Sequence, residues 1–483
     1  MKEETKTTIL DSARYLRQIR PIDPTELVNY VEEDINASEI EQLLTEYSVA
    51  FELVKRNDGS FIAADDEPIT VAFDGVKEVP SWIDDHIEQA LAAQFGDEWA
   101  SGRSGDRLRS VISEFKQAYF SGEAVDYDEE TVLGYALYHF PPSFASIQYV
   151  LSELTSASLL PGSLRVLDIG AGVGGQALGL CAFLPDDVLV EYHAIEPSRP
   201  ATKLLQQLLA ETGPNVHPQI DTTPIETASI TTTYDLILCS NVVNELAEPQ
   251  AVIITLLSHL TETGSLIIVE PADKHTSREL RRIERCVLDA TDTTLFSPTI
   301  RLWPSLQPTD DCWSFIRQPD LMIPRTQRLL DEGPRDTPQP REPATGEFIN
   351  VDVQYSYSII RQDDQRRIPV TVSRSTYMPL ADAASHVTER VRVAVVKLSQ
   401  KLNREADANP LFVIGDGSQD AQWFAVQAVE TQSNRFLSRA KYGDVLFISN
   451  GLVLWNDDES AYNLVIDDRS VIDLMNPDGY QSA

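Results

Sequence analysis

The chain is poor in cysteine, poor in basic charge and without a long apolar run. Four cysteines (Cys181, Cys239, Cys286 and Cys312) occur among 483 residues, with no Cys-x-x-Cys spacing. That pattern suits buried thiols in a reducing compartment rather than a disulfide frame. Neither zinc nor an iron–sulfur cluster is expected. No apolar stretch reaches the roughly eighteen residues that a spanning helix needs, so no membrane partner is expected. The opening MKEETKTTIL lacks an apolar signal core, which predicts a cytoplasmic rather than a secreted protein. Basic residues number 39 against 75 acidic ones, for a net charge of −36. The acidity is spread along the chain, and lysine is rare relative to arginine. A cytosol near molar salt favours this pattern, because screening removes the self-repulsion. In such salt the counterion-release contribution to nucleic-acid binding is small, so global acidity does not exclude RNA.

What is present suffices for folding. Hydrophobic residues make up 42% and aromatics 8% of the chain, enough for globular packing. The length calls for two or three domains. The most informative run is VLDIGAGVGG at 166–175, followed by the helix-forming QALGLCAFL. A branched apolar strand there enters a turn built from Gly170, Gly172, Gly174 and Gly175. Glycines serve where backbone bends sharply and a ligand approaches without meeting a Cβ. Asp168 ends the strand and can accept a hydrogen bond from an ammonium-bearing ligand. Glu196 ends the next strand, VEYHAIE, where a carboxylate can hold both ribose hydroxyls. The letters also fit the dinucleotide fingerprint G-x-G-x-x-G through Gly170, Gly172 and Gly175. An acid at 168, however, would face a pyrophosphate. The arrangement resembles class I S-adenosylmethionine-dependent methyltransferases, which implies S-adenosylmethionine as cofactor. The implied cofactor-binding residues are Asp168, Gly170, Gly172, Gly174, Glu196 and Asn241.

Residues 1–160 read as mainly helical, with a possible hairpin in FIAADDEPITVAFDG and a helix break at Pro141-Pro142. Across 161–376, LRVLDI, VEYHAIE, VHPQI, YDLILCS and GSLIIVE alternate with helical lengths, which predicts a parallel sheet covered on both faces. VDVQYSYSIIR and IPVTVS read as an antiparallel closing pair. The expected fold is therefore the seven-stranded, doubly wound α/β sheet of class I methyltransferases. Residues 326–346, rich in Pro, Arg and acids, read as a linker or surface loop. From 388 to 478, five alternating segments suggest a small OB-like β-barrel. Trp423, Phe424, Phe447 and Trp455 are candidate base-stacking residues there, with core packing as the alternative.

Asn241, Asn244 and Glu245 follow the fourth strand, where class I enzymes place substrate-facing groups, and are the candidate catalytic residues. Helix capping by the asparagines is the alternative. The segment lacks an N-P-P-Y type motif, and Cys239 lacks the Pro-Cys context of a cytosine-5 methylase nucleophile. After the fifth strand, Arg278, Arg281, Arg282 and Arg285 recur at helical spacing, a candidate phosphate grip. Salt bridging with Glu279 and Glu284 is the alternative.

YALYHFPPSFASIQYVLSEL, VLDIGAGVGG, NVVNEL, LIIVEP, the arginine helix and VQYSYSIIR occur in an order that resembles the methyltransferase-like family of mitochondrial small-ribosomal-subunit assembly factors, which also has bacterial and archaeal members. The resemblance spans roughly residues 130 to 375. It implies a role on small-subunit ribosomal RNA or the small subunit itself, as a methyltransferase or as an assembly factor retaining the cofactor fold. A small-molecule methyltransferase is a further alternative. Family members often carry an iron–sulfur cysteine cluster after the arginine helix. Here SPTIRLWPSLQPTDDCWSF holds only Cys312, so no cluster is implied.

Overall fold

The apolar β-branched runs of the central region become strands, as a doubly covered pleated surface favours. The computed structural model describes residues 1–121, 125–303, 305–306, 313–336, 346–370, 372–403 and 408–475. Seven strands of the central sheet are β1 (Ser163–Ile169), β2 (Leu189–Ile195), β3 (Val216–Asp221), β4 (Tyr234–Ser240), β5 (Leu260–Pro271), β6 (Thr294–Ser297) and β7 (Gln354–Arg361). They hydrogen-bond in the order β3-β2-β1-β4-β5-β7-β6, and the short Ile316–Arg317 also pairs with β7. β1, β2 and β3 run parallel, whereas β7 is antiparallel to both β5 and β6. One expectation is corrected here. The partner of β7 on its far side is the fully buried TLFS of β6, not IPVTVS. Arg367 N still donates to Phe296 O at 3.0 Å, but Pro369 has no N–H to continue a ladder.

The chain falls into two compact units. The first comprises Met1–Leu238, His259–Gly264 and Asp320–Val351, and the second Cys239–Ser258, Ser265–Pro319 and Asp352–Ala483. In the first, helices Glu3–Leu16 and Ala37–Glu46 enclose a core with Ile9, Leu27, Ile40, Leu44 and Phe61. Asn36 and Glu39 form a reciprocal capping box on the second helix. The hairpin pairs Leu53–Lys55 with Phe61–Ala63. Only the first residues of FIAADDEPITVAFDG are therefore strand.

The expected break at Pro141-Pro142 does not occur. One helix runs Glu129–Ser156 through both prolines. A proline leaves the carbonyl four residues back without its helical donor, here Leu137 O and Tyr138 O. The amide Nε2 of Gln327 donates to the first and Nδ2 of Asn350 to the second, each at 2.9 Å. Gln327 lies in a helix, Arg325–Glu332, with buried Thr326, Gln327 and Leu330. That corrects the linker assignment over 326–332; residues 337–345 lie outside the described ones. The Asp84 carboxylate accepts from the Thr326 hydroxyl. Arg109 donates to Leu330 O and Gly333 O at the other end of the helix, at 2.6 and 3.0 Å. Gly179, in helix Gly175–Phe183, lets the proline helix approach. A Cβ there would sit 2.4 Å from Phe144 O.

The second unit holds the barrel strands β8 (Arg390–Lys397), β9 (Leu411–Gly415), β10 (Trp423–Gln427), β11 (Val445–Asn456), β12 (Ala461–Ile466) and β13 (Val471–Met475). Pairing closes a five-stranded ring, β8-β9-β10-β12-β11-β8, with β13 added on β11. The β10–β12 pair is parallel and the others in the ring are antiparallel. This is the ring order of an OB barrel. AYNLVIDDRSVIDLM yields two strands rather than one, because Ser470 N bonds to Asp467 O and turns the chain. The barrel does not stand apart within its unit. Buried Asp416 accepts from Trp303 Nε1 at 2.8 Å and Leu380 N at 2.9 Å. At Gly417, with φ 77°, an added Cβ would lie 2.5 Å from Ile300 O. No helix among the described residues is long and apolar enough to cross a membrane.

Candidate active site

The turn after β1 is built as its glycines require. Gly170, Gly172 and Gly174 have φ of 66°, 55° and 89°, the left-handed region that side chains resist. Around Gly174 and Gly175 the space is filled, since an added Cβ would meet Leu205 at 2.6 Å or Ser143 at 2.8 Å. Gly172 differs, with only the turn's own Gly170 O within reach at 3.8 Å. The Glu196 carboxylate closes the turn from β2. Oε2 accepts from Gly172 N at 2.9 Å and Oε1 from Ser198 N at 2.8 Å. Ser198 in turn caps helix Arg199–Leu209 through Ala201 N.

Asp168 is 1% exposed. Its Oδ2 accepts from the Tyr192 hydroxyl at 2.6 Å, while Oδ1 has no partner. Burial drives its carboxyl up to about 7; the Tyr192 bond opposes this and the Glu196 charge adds to it. Burial also raises Glu196, against its two backbone donors. Gln176, in the first turn of helix Gly175–Phe183, is buried with both Oε1 and Nε2 unpartnered. Each such buried orphan costs about 1–3 kcal/mol. Unpartnered acceptors, Asp168 Oδ1 and Gln176 Oε1, and an unpartnered donor, Gln176 Nε2, therefore lie at the two ends of this turn. Tyr192, in the VEYHAIE strand, and Gln176 are the residues here that sequence reasoning missed.

In the second unit, the segment after β4 is held by Glu270, which ends the β5 run. Glu270 Oε1 accepts from Val243 N at 2.9 Å and Oε2 from Asn244 Nδ2 at 2.8 Å. Burial pushes its carboxyl up to about 8 despite these donors. Asn241 sits at φ 54°, which asparagine tolerates, and its N donates to Val269 O. The short 3-10 turn Val243–Glu245 has no side-chain cap, so the asparagines are not there as caps. Asn244 and Glu245 are exposed.

Residues 167–266 match the model of a methyltransferase domain. The central region is a class I methyltransferase fold. Outside it, residues 6–57 and 381–475 match the N-terminal and C-terminal domains of a domain of unknown function (DUF8157). No curated protein matches the chain. Among solved structures, it is similar to an S-adenosylmethionine-dependent methyltransferase from Clostridium acetobutylicum ATCC 824, at 16% identity over 33% of this chain and 56% of that one (TM-score 0.23). It is also similar to the magnesium protoporphyrin IX methyltransferase of Synechocystis PCC 6803, solved with bound SAM, at 18% identity over 40% and 86% (TM-score 0.25). A third is the plantazolicin methyltransferase BpumL with a triazolic analog and SAH, at 15% identity over 53% and 98% (TM-score 0.31). The chain spans less than two thirds of the first two structures matched, 56% and 63%.

The residues at the turn fit S-adenosylmethionine, the cofactor that the sequence resemblance implies. The unpartnered Asp168 Oδ1 can accept from its ammonium, and Gln176 supplies both a donor and an acceptor. Glu196 keeps lone pairs for ribose hydroxyls, because each oxygen accepts only one backbone N–H. Among the described residues, no group of three or more His, Cys, Asp or Glu could hold a metal. Cys312 lies outside the described residues.

Two of the candidate RNA residues are corrected. Arg281 is 1% exposed and paired with buried Glu284 Oε2 at 2.5 Å, and also donates to Tyr357 O. It braces the helix Lys274–Ala290 against β7 and cannot reach a phosphate. Helical spacing had placed it on a shared stripe, but that face is the buried one. Arg282 is exposed and paired with Glu279, and Arg278 and Arg285 are half-buried with neighbours of their own. Trp423 is fully buried in the barrel core, stacked on Tyr462 with ring centres 4.9 Å apart. Its partner on the outside is Trp455, 41% exposed and edge-on to the same tyrosine at 4.7 Å. Phe424 is buried, and Phe447 is half-buried against Tyr377.

Proposed function

We propose that this protein is an S-adenosylmethionine-dependent methyltransferase acting on small-subunit ribosomal RNA during ribosome assembly. The observation that carries the cofactor half is the buried, unpartnered Asp168 Oδ1 beside an open glycine turn. When bound, the cofactor supplies an already activated methyl group, so the protein's task is chiefly alignment of a nucleophile. Asp168 and Glu196 hold and orient, and Asn241, Asn244 and Glu245 lie on the segment that would meet a substrate. The RNA half is supported by the OB ring with its exposed Trp455, a platform on which a base can stack. The order of motifs shared with the ribosome-assembly family supports it too.

A second reading is favoured by one observation. Glu270 engages both oxygens with Val243 N and Asn244 Nδ2, so Glu270 does not stand ready as a base. A non-catalytic assembly factor that keeps the cofactor fold has that character. Mapping modified nucleotides in small-subunit RNA, with and without the gene, separates the two. Loss of a methylated nucleotide supports the enzyme. Unchanged modification with accumulated immature subunits selects the assembly factor, and unchanged modification with normal subunits removes both.

A further inference from the structure

A cavity of about 230 Å³ opens in the second unit, away from the residues assigned above. Its walls come from Asp289, near the end of the arginine helix, from Thr294 in β6, and from Thr299, Arg301 and Arg366. Two features mark it as built for a ligand. Thr299 is only 5% exposed, and its hydroxyl oxygen has no hydrogen-bond partner. Arg301 Nε is likewise buried and unpartnered, although Nη1 donates to Asp289 Oδ1 at 3.1 Å. Buried polar groups are normally satisfied, and exceptions call for a missing partner. The Asp289 contact also anchors the guanidinium through Nη1, with Nε left over.

The charge here runs against that of the whole chain. Two guanidinium groups, Arg301 and the exposed Arg366, face one carboxylate, Asp289, which already accepts from Arg301. We propose that this cavity binds the phosphate group of a phosphoester. A tetrahedral phosphate offers oxygens in several directions, which suits donors arriving from Arg301 Nε, the Thr299 hydroxyl and Arg366. A carboxylate has two coplanar oxygens and matches one arginine fork. The volume exceeds that of a few waters at roughly 30 Å³ each, leaving room for the group the phosphate is attached to. The phosphate could come from a free nucleotide or from an RNA chain, and the proposal does not depend on the assignment of ribosomal RNA above.

Calorimetric titration of the full-length protein with adenosine 5′-monophosphate, adenosine and a single-stranded hexaribonucleotide tests this. Binding of the monophosphate but not of adenosine is expected. Thr299→Val, which keeps shape and removes the hydroxyl, and Arg366→Gln, at an exposed position, should each weaken it roughly tenfold. S-adenosylmethionine affinity should be unchanged in both variants, which reports that they are folded. If the hexaribonucleotide competes and shows the same losses, the natural source is RNA; if it does not compete, the source is a free nucleotide. Failure of both phosphorylated ligands to bind wild type, or equal affinity in the two variants, overturns the proposal.

Discussion

Asp168 and Glu270 are both buried acids at strand ends, and burial raises both, to about 7 and about 8. They differ in what is left over. Glu270 has a donor on each oxygen, whereas Asp168 has Tyr192 on one and nothing on the other. Burial and a displaced pKa therefore do not by themselves mark a binding site. Unused hydrogen-bonding capacity beside open space is a better guide, as at Asp168 and Gln176 next to the open Gly172 turn in one unit and at Thr299 and Arg301 on the cavity wall in the other. The pairings of Glu270 and of Arg281 with Glu284 belong to the fold rather than to the ligand.

If that distinction is right, damage to paired groups should appear as lost stability. Arg281→Ala strands Glu284 in the core and should cost about 3–5 kcal/mol by denaturant titration. Gln327→Ala leaves Leu137 O without a donor inside the proline helix and should cost about 1–3 kcal/mol. Glu270→Gln should cost about 1 kcal/mol near neutral pH, because the amide oxygen keeps one of the two donors while its nitrogen cannot accept from the other. The pH dependence sharpens this point. Between the unfolded value of 4.5 and the folded value of about 8, the native state holds a proton that the unfolded chain has lost. The stability from Glu270 is thus fully present below pH 4.5 and lost as pH rises through 8. Melting temperatures measured across this window should fall less steeply in Glu270→Gln than in wild type. Arg282→Ala, an exposed pair with Glu279, should change stability by about 0–1 kcal/mol. A loss as large as that of Arg281→Ala would erase the contrast between the two arginines.

Much of this was legible in the chain. VLDIGAGVGG, the acid at 196 and the five parallel-type runs carry local signals, namely branched residues, glycines at positive φ and turn spacing. The barrel segments alternated clearly enough to give the OB ring. What escaped was decided at a distance. The two prolines read as a break, but their orphaned carbonyls are satisfied by amides 190 and 212 residues away. β6 is four residues long and precedes a proline, too short for periodicity to register. Arginine spacing showed a stripe without showing which side is buried, and Trp423 could not be told from Trp455 by composition. Tyr192 became a site residue only when strand pairing set its neighbour Val166 beside it and its hydroxyl on Asp168.

We propose that Asp168, with its unpartnered Oδ1, is a ligand acceptor held in reserve. Calorimetric titration of S-adenosylmethionine into wild type, Asp168→Asn and Glu270→Gln, at pH values on both sides of 7, tests it most directly. Wild-type affinity should rise with pH through about 7, because Asp168 must lose its proton to accept from the ammonium. Asp168→Asn should bind roughly 10- to 100-fold more weakly with no such rise, while Glu270→Gln should match wild type. Wild-type affinity in Asp168→Asn, with the same pH dependence, would contradict the account.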